Sequence, residues 1–122
     1  MILKKCLMCN SVVKVLNDCN CGDCGFKCCG EEMVVVGANT TDAAIEKHVP
    51  EYEIIGEEII VRVNHVMEDV HYIEWICYEF NNNEEFVYLK PGEDAICKFK
   101  YIPGAIIYSY CNMHSLWSVK VK

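Results

Sequence analysis

The stretch "VHYIEWICYEF", Val70 to Phe80, decides the class of fold. It is apolar and aromatic, and its length suits a strand rather than a helix. Read as a strand, it places His71, Ile73, Trp75 and Cys77 on one face and Tyr72, Glu74, Ile76 and Tyr78 on the other. Turn signals bound its neighbours. "NNNEE" (81–85) follows, then the strand-like "FVYL" and the turn "KPGED" (90–94). "AICKFKYI" alternates Ala95, Cys97, Phe99 and Tyr101 against Ile96, Lys98, Lys100 and Ile102. After "PG" come "AIIYSYC" and "LWSVKVK". Upstream, residues 51–55 and 58–64 are β-branched runs on either side of Gly56. About seven short strands separated by turns predict an all-β sandwich.

Cysteine divides the chain. Seven of the 10 cysteines lie between Cys6 and Cys29, and all 4 histidines come after residue 47. This predicts a Cys-rich head, residues 1–36, and a longer β body, residues 37–122. "GANTTDAAIEK" (37–47) reads as a junction with one helical turn. A head of this size cannot bury a useful core and needs a metal, disulfides or a partner. Short strands are expected at "SVVKVL" and "MVVVG".

The net charge of −7 argues against nucleic acid or an anionic membrane as partner. No apolar run approaches the ~18 residues of a membrane helix, and "MILKKCLMCN" lacks the features of a secretion signal. The expected location is the cytoplasm. In that reducing compartment, clustered cysteines point to metal rather than to disulfides.

In the head, "CLMC" gives Cys6 and Cys9 the spacing at which one tight turn aims two thiolates at one ion. "KCCGEEM" offers Cys28 and Cys29 as a second pair. Cys21 and Cys24 offer an alternative second pair with the regular two-residue gap, and Cys19 is spare in either case. Spacing does not choose between these sets, nor between zinc and iron.

In the body, His65 closes the "EIIVRVNH" run and His71 follows across the loop "VMEDV". His48 follows the junction turn, and Cys111 and His114 flank "CNMH". Each sits at an element terminus, where a sandwich gathers its loops. Four imidazoles and a thiolate exceed the four ligands of a structural zinc site. The set suits iron with one coordination position left open. Each histidine alone reads more simply as a surface or hydrogen-bonded residue, and Cys111 as a small buried hydrophobe.

The stretches "CLMC", "KCCGEEM", "NTTDAAIEKHVP", "NHVMEDVHYIEWI", "LKPGEDA" and "YCNMH" together resemble the desulfoferrodoxin family of superoxide reductases. The resemblance spans nearly the whole chain. It implies a desulforedoxin-like head holding one iron on Cys6, Cys9, Cys28 and Cys29. It also implies an immunoglobulin-like sandwich holding a second, catalytic iron on His48, His65, His71, His114 and Cys111. Cys111 is then the axial thiolate, and the implied reaction is superoxide reduction to hydrogen peroxide. By the same resemblance Glu46 caps the oxidised iron, while Lys47 attracts superoxide and assists protonation. It further implies an external electron donor such as rubredoxin, and a homodimer. The chain departs from the family pattern in the extra Cys19, Cys21 and Cys24, in Val66 where proline is frequent, and in Ser115 where glycine is frequent. The competing expectations are an electron-transfer protein working through the four-cysteine iron, and a zinc-stapled β-sandwich binding module.

Overall fold

A computed structural model describes the chain apart from Asp23 and Asp42, and apart from the side chain of Glu46. It forms two compact units, Met1–Gly37 and Ala38–Lys122.

The head is built from pieces of two and three residues. Strands β1 (Leu3–Lys5), β2 (Val12–Lys14) and β5 (Val34–Val35) form one sheet in the order β2-β1-β5. Strands β3 (Lys27–Cys28) and β4 (Glu31–Glu32) form a hairpin. Its two turn residues, Cys29 and Gly30, have φ of 54° and 77°. Positive φ at both central positions is the geometry that matches the twist of a two-residue hairpin. Few side chains are buried here, with Leu3, Cys6, Val15 and Met33 the main apolar ones.

The body is all-β apart from a 3-10 turn at Ile45–Lys47. Strands β6 (Glu51–Ile55), β7 (Glu58–Arg62) and β10 (Ile96–Lys100) form a three-stranded sheet in the order β10-β7-β6. Strands β8 (Ile73–Phe80), β9 (Asn83–Tyr88), β11 (Ile106–Cys111) and β12 (Ser115–Lys120) form a four-stranded sheet in the order β12-β11-β8-β9. All pairings are antiparallel. Ile59, Val61 and Phe99 of the first sheet meet Ile73, Ile76, Tyr78 and Ile107 of the second in one core. Tyr78 stacks on Phe99 with ring centroids 4.6 Å apart, and its hydroxyl accepts the Ile102 N–H at 3.0 Å. That partner removes the cost of an unpaired phenol in the core. The fold of the body is thus the expected seven-stranded β-sandwich, and the head is a separate small Cys-rich unit.

Two local expectations change. The strand expected to run to His65 ends at Arg62, so His65 lies on the loop beyond it. The alternation read in Val70–Phe80 breaks at its start. Tyr110 pairs with Trp75 but Cys111 pairs with Ile73, so Glu74 is the extra residue of a β-bulge. The bulge restores Ile73 to the core face with Ile76 and Tyr78. Trp75 stays on the other face, stacked on Tyr110 at 5.3 Å.

Candidate metal centres

Strand β11 carries Cys111 as its last residue, fully buried at the end of the sandwich core. The chain then turns through Asn112–His114 and re-enters the sheet at Ser115, which has φ of 67°. This left-handed conformation is the reason a glycine suits that position. The tight turn returns His114 beside the strand end.

Asn112 binds this turn to the segment that carries His71. Its Nδ2 donates to the Val70 carbonyl at 2.9 Å, its Oδ1 accepts the Tyr72 N–H at 3.0 Å, and its own N–H donates to the Tyr72 carbonyl at 3.2 Å. His71 is bracketed on both sides. The loop from His65 closes on itself through paired backbone hydrogen bonds between Glu68 and His71.

His48 comes from the segment before β6. Its carbonyl accepts the buried Ser109 hydroxyl at 2.7 Å, and its ring stacks on Trp117 at 4.9 Å. Trp117 also donates its indole N–H to the His114 carbonyl at 2.9 Å. Ser109, Asn112 and Trp117 therefore hold the site without belonging to it. The sequence reading passed over all three, because a serine, an asparagine and a tryptophan carry no ligand signature.

The four imidazoles form a ring. Successive centroid distances are 4.7 Å (His48–His65), 4.6 Å (His65–His71), 5.1 Å (His71–His114) and 4.9 Å (His114–His48). Each neighbouring pair is edge-on, so the ring nitrogens converge rather than stack. The His48 and His65 Nδ1 atoms face the carbonyls of Ala44 and Val66. Those hydrogen bonds place the ring protons on Nδ1 and turn the Nε2 lone pairs inward, the usual support for a ligating histidine. His114 presents Nδ1 instead, 3.0 Å from His48 Nε2. Two nitrogens bound at right angles to one ion at about 2.1 Å would lie about 3.0 Å apart. Cys111 Sγ lies 3.4 Å from His65 Nε2 and 3.9 Å from His114 Nδ1. His71 Nε2 is buried with no hydrogen-bond partner among the described residues. A buried ring nitrogen without a partner is costly unless an ion completes it. The five donors lie within 4.8 Å of one another, and they fit a metal ion.

Burial lowers the His65 pKa, with repulsion from the other three histidines in support, which favours the neutral ring that a metal needs. Burial raises that of the Cys111 thiol, a trend a bound cation would reverse. The ring opens on a cavity of about 430 Å³, also lined by Ala43, Ala44, Lys47, Val66 and Glu68. Cys111 does not line it. The thiol sits on the core side and the open side faces the cavity. Lys47 is exposed at that mouth. The expected role of Glu46 concerns a side chain outside the described residues.

In the head, the structure gathers Cys6, Cys9, Cys28 and Cys29, with their sulfurs also within 4.8 Å of one another. The knuckle closes by the Asn10 N–H to the Cys6 carbonyl and the Cys6 N–H to the Ser11 carbonyl, both at 2.9 Å. Sulfurs 3.6 Å (Cys9–Cys28) and 3.9 Å (Cys28–Cys29) apart match the edge of about 3.8 Å in a tetrahedron with ~2.3 Å metal–sulfur bonds. The positive φ at Cys29 is what lets adjacent cysteines converge. Hydrogen bonds from Ser11 lower the Cys9 thiol to about 6, and sharing with Cys9 raises Cys28 to about 12. The alternative pair Cys21 and Cys24 is not part of the group. Cys24 is bonded to Cys19 and Cys21 is a free, exposed thiol.

Residues 40–120 match the family model described as Desulfoferrodoxin. A desulfoferrodoxin of Syntrophotalea carbinolica is 40% identical over 119 residues, covering 93% of this chain and 91% of the relative. A desulfoferrodoxin homolog of Archaeoglobus fulgidus is 36% identical over 117 residues, with the same coverage of 93% and 91%. Among solved structures, the superoxide reductase from Treponema pallidum superposes with a TM-score of 0.70 at 29% identity, covering 97% of this chain and 98% of that one.

Proposed function

We propose a function from one premise: this chain belongs to the desulfoferrodoxin family. It is a superoxide reductase, an oxidoreductase that adds one electron and two protons to superoxide to give hydrogen peroxide. The observation that carries this reading is the two-sided site. A buried thiol and four converging imidazoles leave one face open to a cavity with a lysine at its mouth. Iron bound by His48, His65, His71, His114 and Cys111 supplies the single electron and the Lewis acidity.

The chain supplies the rest. Lys47 offers positive charge to an anion approaching a protein of net charge −7. Its ammonium also holds protons within the cavity for the departing product. Ala43, Ala44 and Val66 give the mouth an apolar wall that strengthens this attraction. Glu46 is assigned, from the sequence alone, as the carboxylate that closes the open position between turnovers.

Residues 1–36 act as a desulforedoxin-like domain whose four-cysteine iron is a redox accessory, and residues 37–122 as the catalytic domain. A reductant renews the electron, and a rubredoxin-type protein suits that role. The short edge strand β5, with Val34 and Val35 exposed, supports pairing of two chains into a homodimer. Among the described residues no helix is long and apolar enough to cross a membrane. A reducing cytoplasm suits the free thiols of the head.

The test is stoichiometric. The ferrous protein is mixed with superoxide, and peroxide is measured, with His114→Ala as control. The parent protein is expected to give one peroxide per superoxide, with one catalytic iron oxidised for each, and the variant only the half peroxide per superoxide that spontaneous dismutation gives. Equal yields from both would remove this site from the reaction.

A further inference from the structure

The head contains three cysteines that the four-thiol group does not use. Cys19 and Cys24 are bonded to each other, with Cα atoms 6.2 Å apart, and Cys21 is a free thiol inside the loop they close. The stem of this loop is held by something other than the bridge. Lys4, buried on β1, places its ammonium 3.4 Å from Asp18 Oδ1 and 4.4 Å from the centre of the Phe26 ring. Asp18 Oδ1 also accepts the Cys19 N–H at 2.9 Å. One buried cation thus grips the residue before Cys19 and the second residue after Cys24. Cys24 Sγ lies 3.1 Å from the Cys21 carbonyl oxygen.

This arrangement restrains both ends of the loop by contacts that do not involve the bridge. That restraint raises the effective concentration of one thiol at the other. Cys19 is exposed and Cys24 half-buried, so an external thiolate reaches the bridge. Exposed disulfides of this kind are the exchangeable ones, and a disulfide in a reducing compartment is generally transient.

We propose that Cys19 and Cys24 form a reversible dithiol–disulfide site, closed by hydrogen peroxide and opened by a dithiol reductant. In closing, the Cys19 thiolate attacks one peroxide oxygen, the O–O bond breaks, and hydroxide leaves as water after taking a proton. The Cys24 thiolate then attacks the Cys19 sulfur, the S–O bond breaks, and a second water leaves. The sum is two thiols and one peroxide to one disulfide and two waters, with both electrons coming from sulfur. In opening, a dithiol attacks the bridge, passes through a mixed disulfide, and departs oxidised, its two protons ending on Cys19 and Cys24. The supply of peroxide rests on the superoxide reductase reading, since peroxide is that reaction's product. The chemistry of the pair does not. Closure also withdraws Cys19 and Cys24 from competition with Cys6, Cys9, Cys28 and Cys29 for the head ion.

The test uses the metal-loaded full chain, reduced with dithiothreitol and desalted without oxygen. Thiols are counted by alkylation in denaturant and mapped by mass spectrometry before and after one equivalent of added hydrogen peroxide. The expected result is loss of two alkylatable thiols per chain, a Cys19–Cys24 cross-linked peptide, and full return with dithiothreitol. Cys21→Ser is expected to behave identically, and Lys4→Met to close more slowly. Closure through Cys21, equal oxidation of the cluster cysteines, or a bridge that dithiothreitol opens only in denaturant would each overturn the proposal. Failure of the superoxide reductase reading would appear separately, as absent peroxide production with loop closure by added peroxide intact.

Discussion

The Ser109 hydroxyl donates a 2.7 Å hydrogen bond to the His48 carbonyl, inside the body and across 61 positions of sequence. Ser109 stands two residues before Cys111 on β11. The strand that ends in the thiol donor therefore also fixes the backbone of an imidazole donor. Loss of a buried hydrogen-bond partner costs about 1–3 kcal/mol. Ser109→Ala is expected to lower the thermal midpoint of the metal-free protein and to speed iron release to a chelator. An unchanged midpoint and unchanged release would show that the contact holds nothing.

Asn112 is expected to matter as much as a ligand's immediate support. Its three hydrogen bonds bracket His71. Removing a group that orients a metal ligand typically costs 10–100-fold in metal affinity. Asn112→Ala should weaken iron binding by about that factor in a chelator competition. The head's visible absorption should be untouched.

Lys47 is exposed at the cavity mouth. Lys47→Ala should slow the reaction with superoxide several-fold at low salt and flatten its dependence on ionic strength. Rates measured by rapid mixing or radiolysis over a salt series decide this. Identical salt slopes for the two proteins would place the lysine outside the reaction.

Ser115 occupies φ of 67°. A residue with a Cβ pays about 1–2 kcal/mol there, offset in part by the greater flexibility of glycine in the unfolded chain. Ser115→Gly should stabilise the protein by up to about 1 kcal/mol, read as a higher denaturant midpoint with an unchanged slope.

In the metal-free protein, burial depresses the pKa of His65 below its unfolded value of 6.5. The unfolded chain then binds the proton more readily. Stability is fully present above pH 6.5 and falls as pH drops through the window beneath it. Denaturant midpoints of the metal-free protein across that range should show the decline, and His65→Gln should flatten it.

The sandwich was legible because its strands are short, β-branched and separated by turn residues. The Asn81-Asn82 turn is a clear instance, since both residues take the positive φ that a two-residue hairpin requires. The head was legible only in composition. Seven thiols in 24 positions offer several four-membered sets, and their spacing fits more than one of them. What separates them is a hairpin turn that brings Cys28 and Cys29 together and a bridge that occupies Cys24.

The sequence by itself determined the donor chemistry: imidazoles and a thiolate at strand termini in one half of the chain, clustered thiols in the other. It also determined the all-β class, because alternation and turn residues are local properties. Only the tertiary structure decided which thiols converge, that Glu74 bulges so that Ile73 faces the core, and that the histidines close in the order His48, His65, His71, His114. Those facts depend on contacts between distant segments, such as Ser109 with His48 and Asn112 with Val70. Such contacts are set by packing two sheets against each other, and no local pattern of residues encodes them.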